Sequence, residues 1–225
     1  MLCGMGILSR YFSDPDLSEI KLAVKEAEQK TSGEIVPYFA ESSHHYNEWN
    51  WFFAFIGGGF GGVSLLACDY FHLTGWDFGS LDAVVFIWIG AIVGFILSYF
   101  FASLRLFIVP PAFKRLFVNL KAKEAFIEEE VFRTKNRTGI LLYISFRERV
   151  VRVLPDSGIA KVVPRSEWEE AVRLIVQGMK THKRKEGIVS SILFCGNLLV
   201  KYGLSIEKDD KNEISDEIRD GGTQL

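Results

Sequence analysis

Four oxygen-bearing side chains, Asp156, Asn212, Glu213 and Asp216, are the residues of this chain best suited to chemistry. Asp156 follows an apolar run that reads as a strand, and strand ends and loops are where α/β folds gather functional groups. Asn212, Glu213 and Asp216 sit close together in an acidic tail. If that tail folds back over the sheet edge, these oxygens are the candidate ligands of a hard cation, Ca2+ or Mg2+. The competing reading makes Asp156 a turn residue with Ser157 and Gly158, and leaves Asn212 and Asp216 to cap or solvate the tail. Spacing alone leaves both open.

The other reactive residue types form no pattern of comparable weight. Residues 57–62, Gly-Gly-Gly-Phe-Gly-Gly, are glycine-rich but lack the Lys-Ser/Thr that follows a phosphate-binding loop. His44 and His45 are adjacent, so in an extended segment they point apart, and no third ligand stands at a useful spacing. His72 and His182 stand alone. Cys3, Cys68 and Cys195 are widely separated, with no CxxC pair, which indicates neither a zinc site nor a disulfide framework. No catalytic residue is assigned, and beyond the candidate cation no cofactor is indicated. A formal charge of −2 with no basic stripe interleaved with aromatics excludes nucleic acid as an expected partner.

The elements that would position these groups are organised around an interruption. Residues 49–68 and 83–104 contain no charged side chain, and each run can cross about 30 Å of hydrocarbon as a helix. The expected arrangement is a transmembrane helical hairpin over residues 49–109, with the lipid bilayer as partner. Between the runs lie Asp69, Asp77 and Asp82 and no Lys or Arg, whereas Arg105, Lys114, Arg115, Lys121 and Lys123 follow the second. By the positive-inside rule both termini are expected in the cytoplasm. Trp49 and Trp51 at one edge, and Tyr70, Phe71 and Trp76 at the other, suit the interfacial belts. Gly57 with Gly61, and Gly90 with Gly94, are small-xxx-small pairs that let helices approach closely. They serve packing within the hairpin or self-association between chains. Residues 1–9 lack a charged n-region, so no cleaved signal peptide is expected.

The flanks read as two parts of one domain, residues 1–48 and 110–204, with residues 205–225 an acidic tail. Ser13 and Asp16 form a capping box, and Leu17, Ile20, Val24 and Ala27 give the apolar stripe of the helix it opens. Residues 34–40 read as a strand that Pro37 places at an edge or bulge. After Pro110-Pro111, the residues Phe113, Leu116, Phe117, Leu120, Ile127 and Val131 predict an amphipathic helix. Its other face carries Lys114, Arg115, Lys121 and Lys123. Those cations either face anionic headgroups or are simply solvated. Residues 139–145 are apolar on both faces, as in a central strand, and a short link to 149–154 predicts an antiparallel pair. Ser166 with Glu169 predicts a second capping box, ahead of Trp168, Val172, Ile175 and Met179. A last helix carries Ile188, Ile192, Cys195, Leu199 and Tyr202 and closes at Gly203. The first and second strands, separated by a helix, are expected to be parallel. The fold class is therefore α/β, a small mixed sheet sandwiched by helices and interrupted by the hairpin.

Four stretches carry a resemblance. The run Ala27-Glu28-Gln29-Lys30-Thr31-Ser32-Gly33-Glu34-Ile35-Val36 resembles the end of the first helix and the first strand of the TPM domain family. Residues 137–145 and 148–159 are similar to later elements of that family, in the same order. Residues 212–216 resemble its "NELPD" element, with Ile214 for Leu and Ser215 for Pro. The chain looks most like the bacterial membrane-bound branch, in which a transmembrane pair interrupts the domain. That resemblance implies an integral protein of the bacterial inner membrane. Family members include a thylakoid lumen phosphatase-like protein and an animal receptor-associated membrane protein, so the resemblance implies a fold more firmly than an activity. Two functions follow from it: a membrane-anchored interaction or assembly module for other membrane proteins, or alternatively a metal-dependent phosphatase.

Overall fold

The structure is a computed structural model that describes residues 7–71, 79–205, 213–215 and 217–221. Asn212 and Asp216 of the candidate ligand set lie outside the described residues, as do Cys3, His72, Trp76 and Asp77. The chain divides into two compact units, Met1–Ser43 with Lys114–Leu225, and His44–Phe113.

The first unit is built on a mixed sheet of four strands in the order β3-β2-β1-β4: β1 Glu34–Ala40, β2 Gly139–Ser145, β3 Val150–Pro155 and β4 Arg219–Asp220. β1 and β2 pair in parallel along their whole length, from Glu34 opposite Gly139 to Ala40 opposite Ser145. β3 returns antiparallel to β2, and β4 adds only Arg219 and Asp220 beside Tyr38 and Phe39. Pro37, which has no N–H to give, stands just before the stretch β4 reaches, so β1 is an edge there. Every residue of β1 and β2 is buried, as parallel strands covered on both faces require.

Alternation along the strands sorts two cores. Ile35, Phe39, Ile140, Leu142, Ile144 and Val151 face helices α2 (Asp14–Glu28), α8 (Glu167–Lys180) and α9 (Arg184–Lys201). Val36, Tyr38, Leu141 and Tyr143 face α6 (Pro111–Glu128). The remaining helices are short: α1 (Ile7–Tyr11), α5 (Ala102–Ile108) and α7 (Ser157–Ala160).

Helix α2 starts as its sequence directs, with Ser13 Oγ accepting from Asp16 N–H and Asp16 accepting from Ser13 N–H at 3.0 Å. Two local expectations fail. Ser166 does not cap α8, because its own backbone is already helical at φ −61° and ψ −30°. The first N–H groups of that helix go instead to the carbonyls of Pro164, Arg165 and Ser166. On α6 the long apolar side chains are not the ones that pack. Val118, Ala122 and Ala125 are buried, whereas Phe113, Leu116, Leu120 and Ile127 are about half exposed or more. Small residues win the inner face because the sheet presents the stacked rings of Tyr38 and Tyr143, 5.2 Å apart, to the same core.

The second unit is a pair of long apolar helices, α3 (Trp49–Tyr70) and α4 (Ser80–Phe100), which lie in sequence between β1 and β2. Both are long and apolar enough to cross a membrane. Only 11% and 6% of their apolar windows are buried, so they are not core helices of a water-soluble unit. They meet backbone to backbone. A Cβ at Gly57 would lie 2.2 Å from the Gly90 carbonyl oxygen, one at Gly61 2.2 Å from that of Phe86, and one at Gly94 2.3 Å from that of Phe53. Both small-residue pairs are therefore taken up inside the hairpin. Near the base of the pair, Ser98 Oγ donates to Asn50 Oδ1 at 2.7 Å, with both residues buried.

Gly57→Leu should therefore pry α3 from α4 and destabilise the hairpin by about 1–3 kcal/mol, as overpacking does. At the open position Gly59, where nothing lies within 4 Å, the same change should leave it within error. Unfolding of the reconstituted chain in increasing denaturing detergent reads the difference.

Candidate functional site

Polar side chains gather at both ends of the sheet. At the end where β1 and β2 begin and β3 finishes, Asp156 is buried, and its N–H donates to the Gly139 carbonyl at 2.8 Å. Its Oδ1 accepts from Ser157 N–H at 2.5 Å and so caps α7. Its Oδ2 lies 3.0 Å from Arg137 Nε as an ion pair, although the N–H there is directed at Ser157 Oγ, 3.4 Å away. Arg137 itself sits over the Phe132 ring at 5.4 Å and donates to the Phe132 carbonyl. Its backbone, at φ 57°, is in the left-handed region, which turns the chain into β2. Gly158 closes this corner: a Cβ there would meet the Asn136 carbonyl oxygen at 2.3 Å.

Glu213 lies at the same end and acts as a staple. Its Oε2 accepts from Lys135 N–H at 2.8 Å, and its own N–H donates to Glu34 Oε1 at 3.0 Å. The tail element is thus tied across the start of β1, and Glu34, buried within this strand, is its receptor. Arg219 extends the tie through an ion pair with Glu129 at 2.7 Å.

A cation would have to displace these contacts. Asp156 already serves a guanidinium and a helix cap, and Glu213 accepts from a backbone N–H. Among the described residues no three His, Cys, Asp or Glu side chains gather so as to hold a metal ion. Asp156 and Glu213, the described members of the ligand set, thus do not fit a metal. His44 bonds Glu48 at 3.0 Å, and His45 is exposed.

At the opposite end, where β1 and β2 finish, sequence reading missed a closed network. Glu148, in the β2–β3 turn and buried, accepts from Ser42 Oγ at 2.8 Å, from Ser43 N–H at 3.0 Å and from Ser145 Oγ. Ser43 Oγ also lies 3.0 Å from Tyr143 Oη and 3.2 Å from Ser145 Oγ. A serine hydroxyl on a carboxylate is one part of a nucleophile arrangement. Ser145, however, is fully buried, so this network clamps the exit of β1 to the turn. Its advance signal is a Glu in a tight turn three residues after Ser145; its other partners, Ser42 and Ser43, are more than a hundred residues away in sequence.

Burial is the main cause of the raised pKa values of Tyr38, Tyr143 and Cys195. It pushes Tyr38 up to about 12, helped by Glu128, Glu129, Glu124 and Asp220, and raises Tyr143 against the pull of its bond to Ser43. The thiol of Cys195, buried in the core, is pushed up to about 12 and stays protonated. Beside the tail lies an open cleft of about 540 Å³, lined by Lys21, Leu22 and Lys25 of α2 and by Glu213, Ile214, Ser215 and Glu217.

No family model and no curated protein matches the chain. Among solved structures it is similar to the NMR structure of the BA42 protein from the psychrophilic bacterium Bizionia argentinensis, with a TM-score of 0.57 and 18% identity. The match covers 94% of this chain and 96% of that one. At that identity the likeness speaks to fold alone.

A tyrosine whose pKa rises on folding holds its proton more tightly in the native state. Native protons then exceed unfolded ones above pH 10, and stability falls as pH climbs from 10 towards 12. Tyr38→Phe should make that alkaline fall shallower in denaturant titrations across this range; an unchanged slope would contradict the assignment.

Proposed function

We propose that this chain is a membrane-anchored interaction module: a TPM-like α/β domain held at the bacterial inner membrane by its own hairpin, with both termini cytoplasmic, that binds another membrane protein. The observation that carries the reading is the cleft between α2 and the tail element. It combines an apolar floor, Leu22 and Ile214, with opposed charges, Lys21 and Lys25 against Glu213 and Glu217. Leu22 is 65% exposed, a large apolar side chain on a helix that otherwise buries its apolar residues. Anchoring apolar contacts ringed by charge are how a polypeptide segment is recognised, whereas phosphoryl transfer needs concentrated positive charge or metal at the phosphate. The carboxylates at the sheet ends are spent on Arg137, backbone N–H groups and serines. The orientation follows from the cations that trail the second apolar run and the acidic link between the runs.

A photo-crosslinking residue at Leu22 in the full chain, activated in native membranes, should give a discrete adduct with one membrane protein. Ile214→Asp should abolish it by placing a carboxylate on the cleft floor. In the same cells a membrane-impermeant thiol reagent should label Ser80→Cys and spare Leu22→Cys. If the purified chain instead hydrolyses phosphate esters with Ca2+ or Mg2+, and Asp156→Asn or Asp216→Asn abolishes turnover, the interaction reading is overturned.

A further inference from the structure

The outer face of α6 joins two features that its role in the fold does not use. Leu116, Leu120 and Ile127 stand four and eleven residues apart, which at 100° per residue aligns them in one stripe opposite the buried Val118, Ala122 and Ala125. Their exposures are 50%, 54% and 65%. Along one flank of this stripe the charge is positive. Arg115 and Lys123 are exposed on α6, one turn either side of Asn119. Asn119 Oδ1 accepts from Arg152 Nε, which brings the half-buried guanidinium of β3 to the helix. Arg152 also donates to the Val151 carbonyl at 3.1 Å, so it is fixed in place. Burial lowers its pKa, and the guanidiniums of Arg115 and Arg165 add to that. The acidic residues of α6 near the stripe, Glu124 and Glu128, lie on the other flank, where Glu124 pairs with Lys121 at 3.1 Å.

We infer that the Leu116, Leu120 and Ile127 face of α6, with Arg115, Lys123 and Arg152 along its flank, lies on a bilayer surface that carries anionic headgroups. Charge complementarity selects that occupant: side chains of this length on a helix sink among acyl chains while the guanidiniums meet lipid phosphates. Chain connectivity supplies the tether, since α6 begins at Pro111, soon after the apolar helix that ends at Phe100. The inference rests on the hairpin residing in a membrane and is independent of what the cleft binds.

The full chain, with Cys3, Cys68 and Cys195 replaced and a polarity-sensitive fluorophore on a single introduced cysteine, is reconstituted at one copy per lipid nanodisc. Ile92→Cys, in the middle of the second apolar helix, reads hairpin insertion in every disc; an aqueous spectrum there removes the premise itself. Leu120→Cys and Leu116→Cys should shift to the blue in discs containing phosphatidylglycerol, and less so in pure phosphatidylcholine. Arg115→Glu with Lys123→Glu should lose the shift, while Leu22→Cys stays aqueous throughout. An aqueous signal at Leu120→Cys and Leu116→Cys in anionic discs, with Ile92→Cys buried, overturns the inference. So does a blue shift indifferent to lipid charge and to the charge reversal, or one that appears only when discs hold two copies.

Discussion

The parallel pairing of β1 with β2 is the constraint from which the rest of this architecture follows. Two parallel neighbours cannot be joined by a tight turn; the chain must leave one end of the sheet and return to the other. Here the return path contains α6, which covers the sheet face bearing Tyr38 and Tyr143, and ahead of it the two long apolar helices. An insertion at this point leaves the sheet intact, because Glu34 to Ala40 and Gly139 to Ser145 still meet residue for residue. The exit from β1 is then fixed by the carboxylate of Glu148 on Ser42 and Ser43. The far end is fixed by Glu213 bridging Lys135 and Glu34. Hydrogen bonds between residues distant in sequence thus hold the places where an interrupted domain would otherwise fray.

The use of small residues is equally consistent. Gly57, Gly61, Gly90 and Gly94 bring two membrane-length helices to backbone contact. Ala122 and Ala125 let α6 settle over paired tyrosine rings, and Gly178 and Gly187 do the same between α8 and α9, where a Cβ on either would come within 3 Å of the other helix. Close approach at these points leaves the larger apolar side chains of α3, α4 and α6 facing outward.

How much of this was legible in the sequence varies with the range of the interaction. Segments governed by their own pattern read correctly: the uninterrupted apolar run of β2, the Ser13 and Asp16 capping box, the stripe of Ile20, Val24 and Ala27, and the two uncharged spans. Helix α6 read as a helix but with its faces exchanged, since periodicity favours Leu116 and Leu120 for the core and cannot know that the sheet offers two aromatic rings. The capping box at Ser166 matched a motif, but the turn after Pro164 had already satisfied those N–H groups. Asp156 was singled out as a candidate cation ligand, whereas its carboxylate is engaged by Arg137 and the α7 cap; Arg137 was not legible, because a left-handed turn brings that guanidinium back over the corner. The bonds of Glu148 to Ser42 and Ser43, and of Arg152 to Asn119, form only through tertiary contact. Helices α1, α5 and α7 and the two-residue β4 are too short to show a period.

The most direct test of this account is to remove the insertion. With residues 49–104 replaced by a short flexible linker, the remaining chain should be soluble and unfold in one cooperative transition. Backbone amide exchange should protect Ile35 to Phe39 and Ile140 to Ile144 together, and nuclear Overhauser contacts should join β1 to β2 in the parallel register of Val36 opposite Leu141. A soluble chain in which β2 and β3 are protected while β1 exchanges freely would show that the two flanks do not share a sheet, and would contradict the account at its centre.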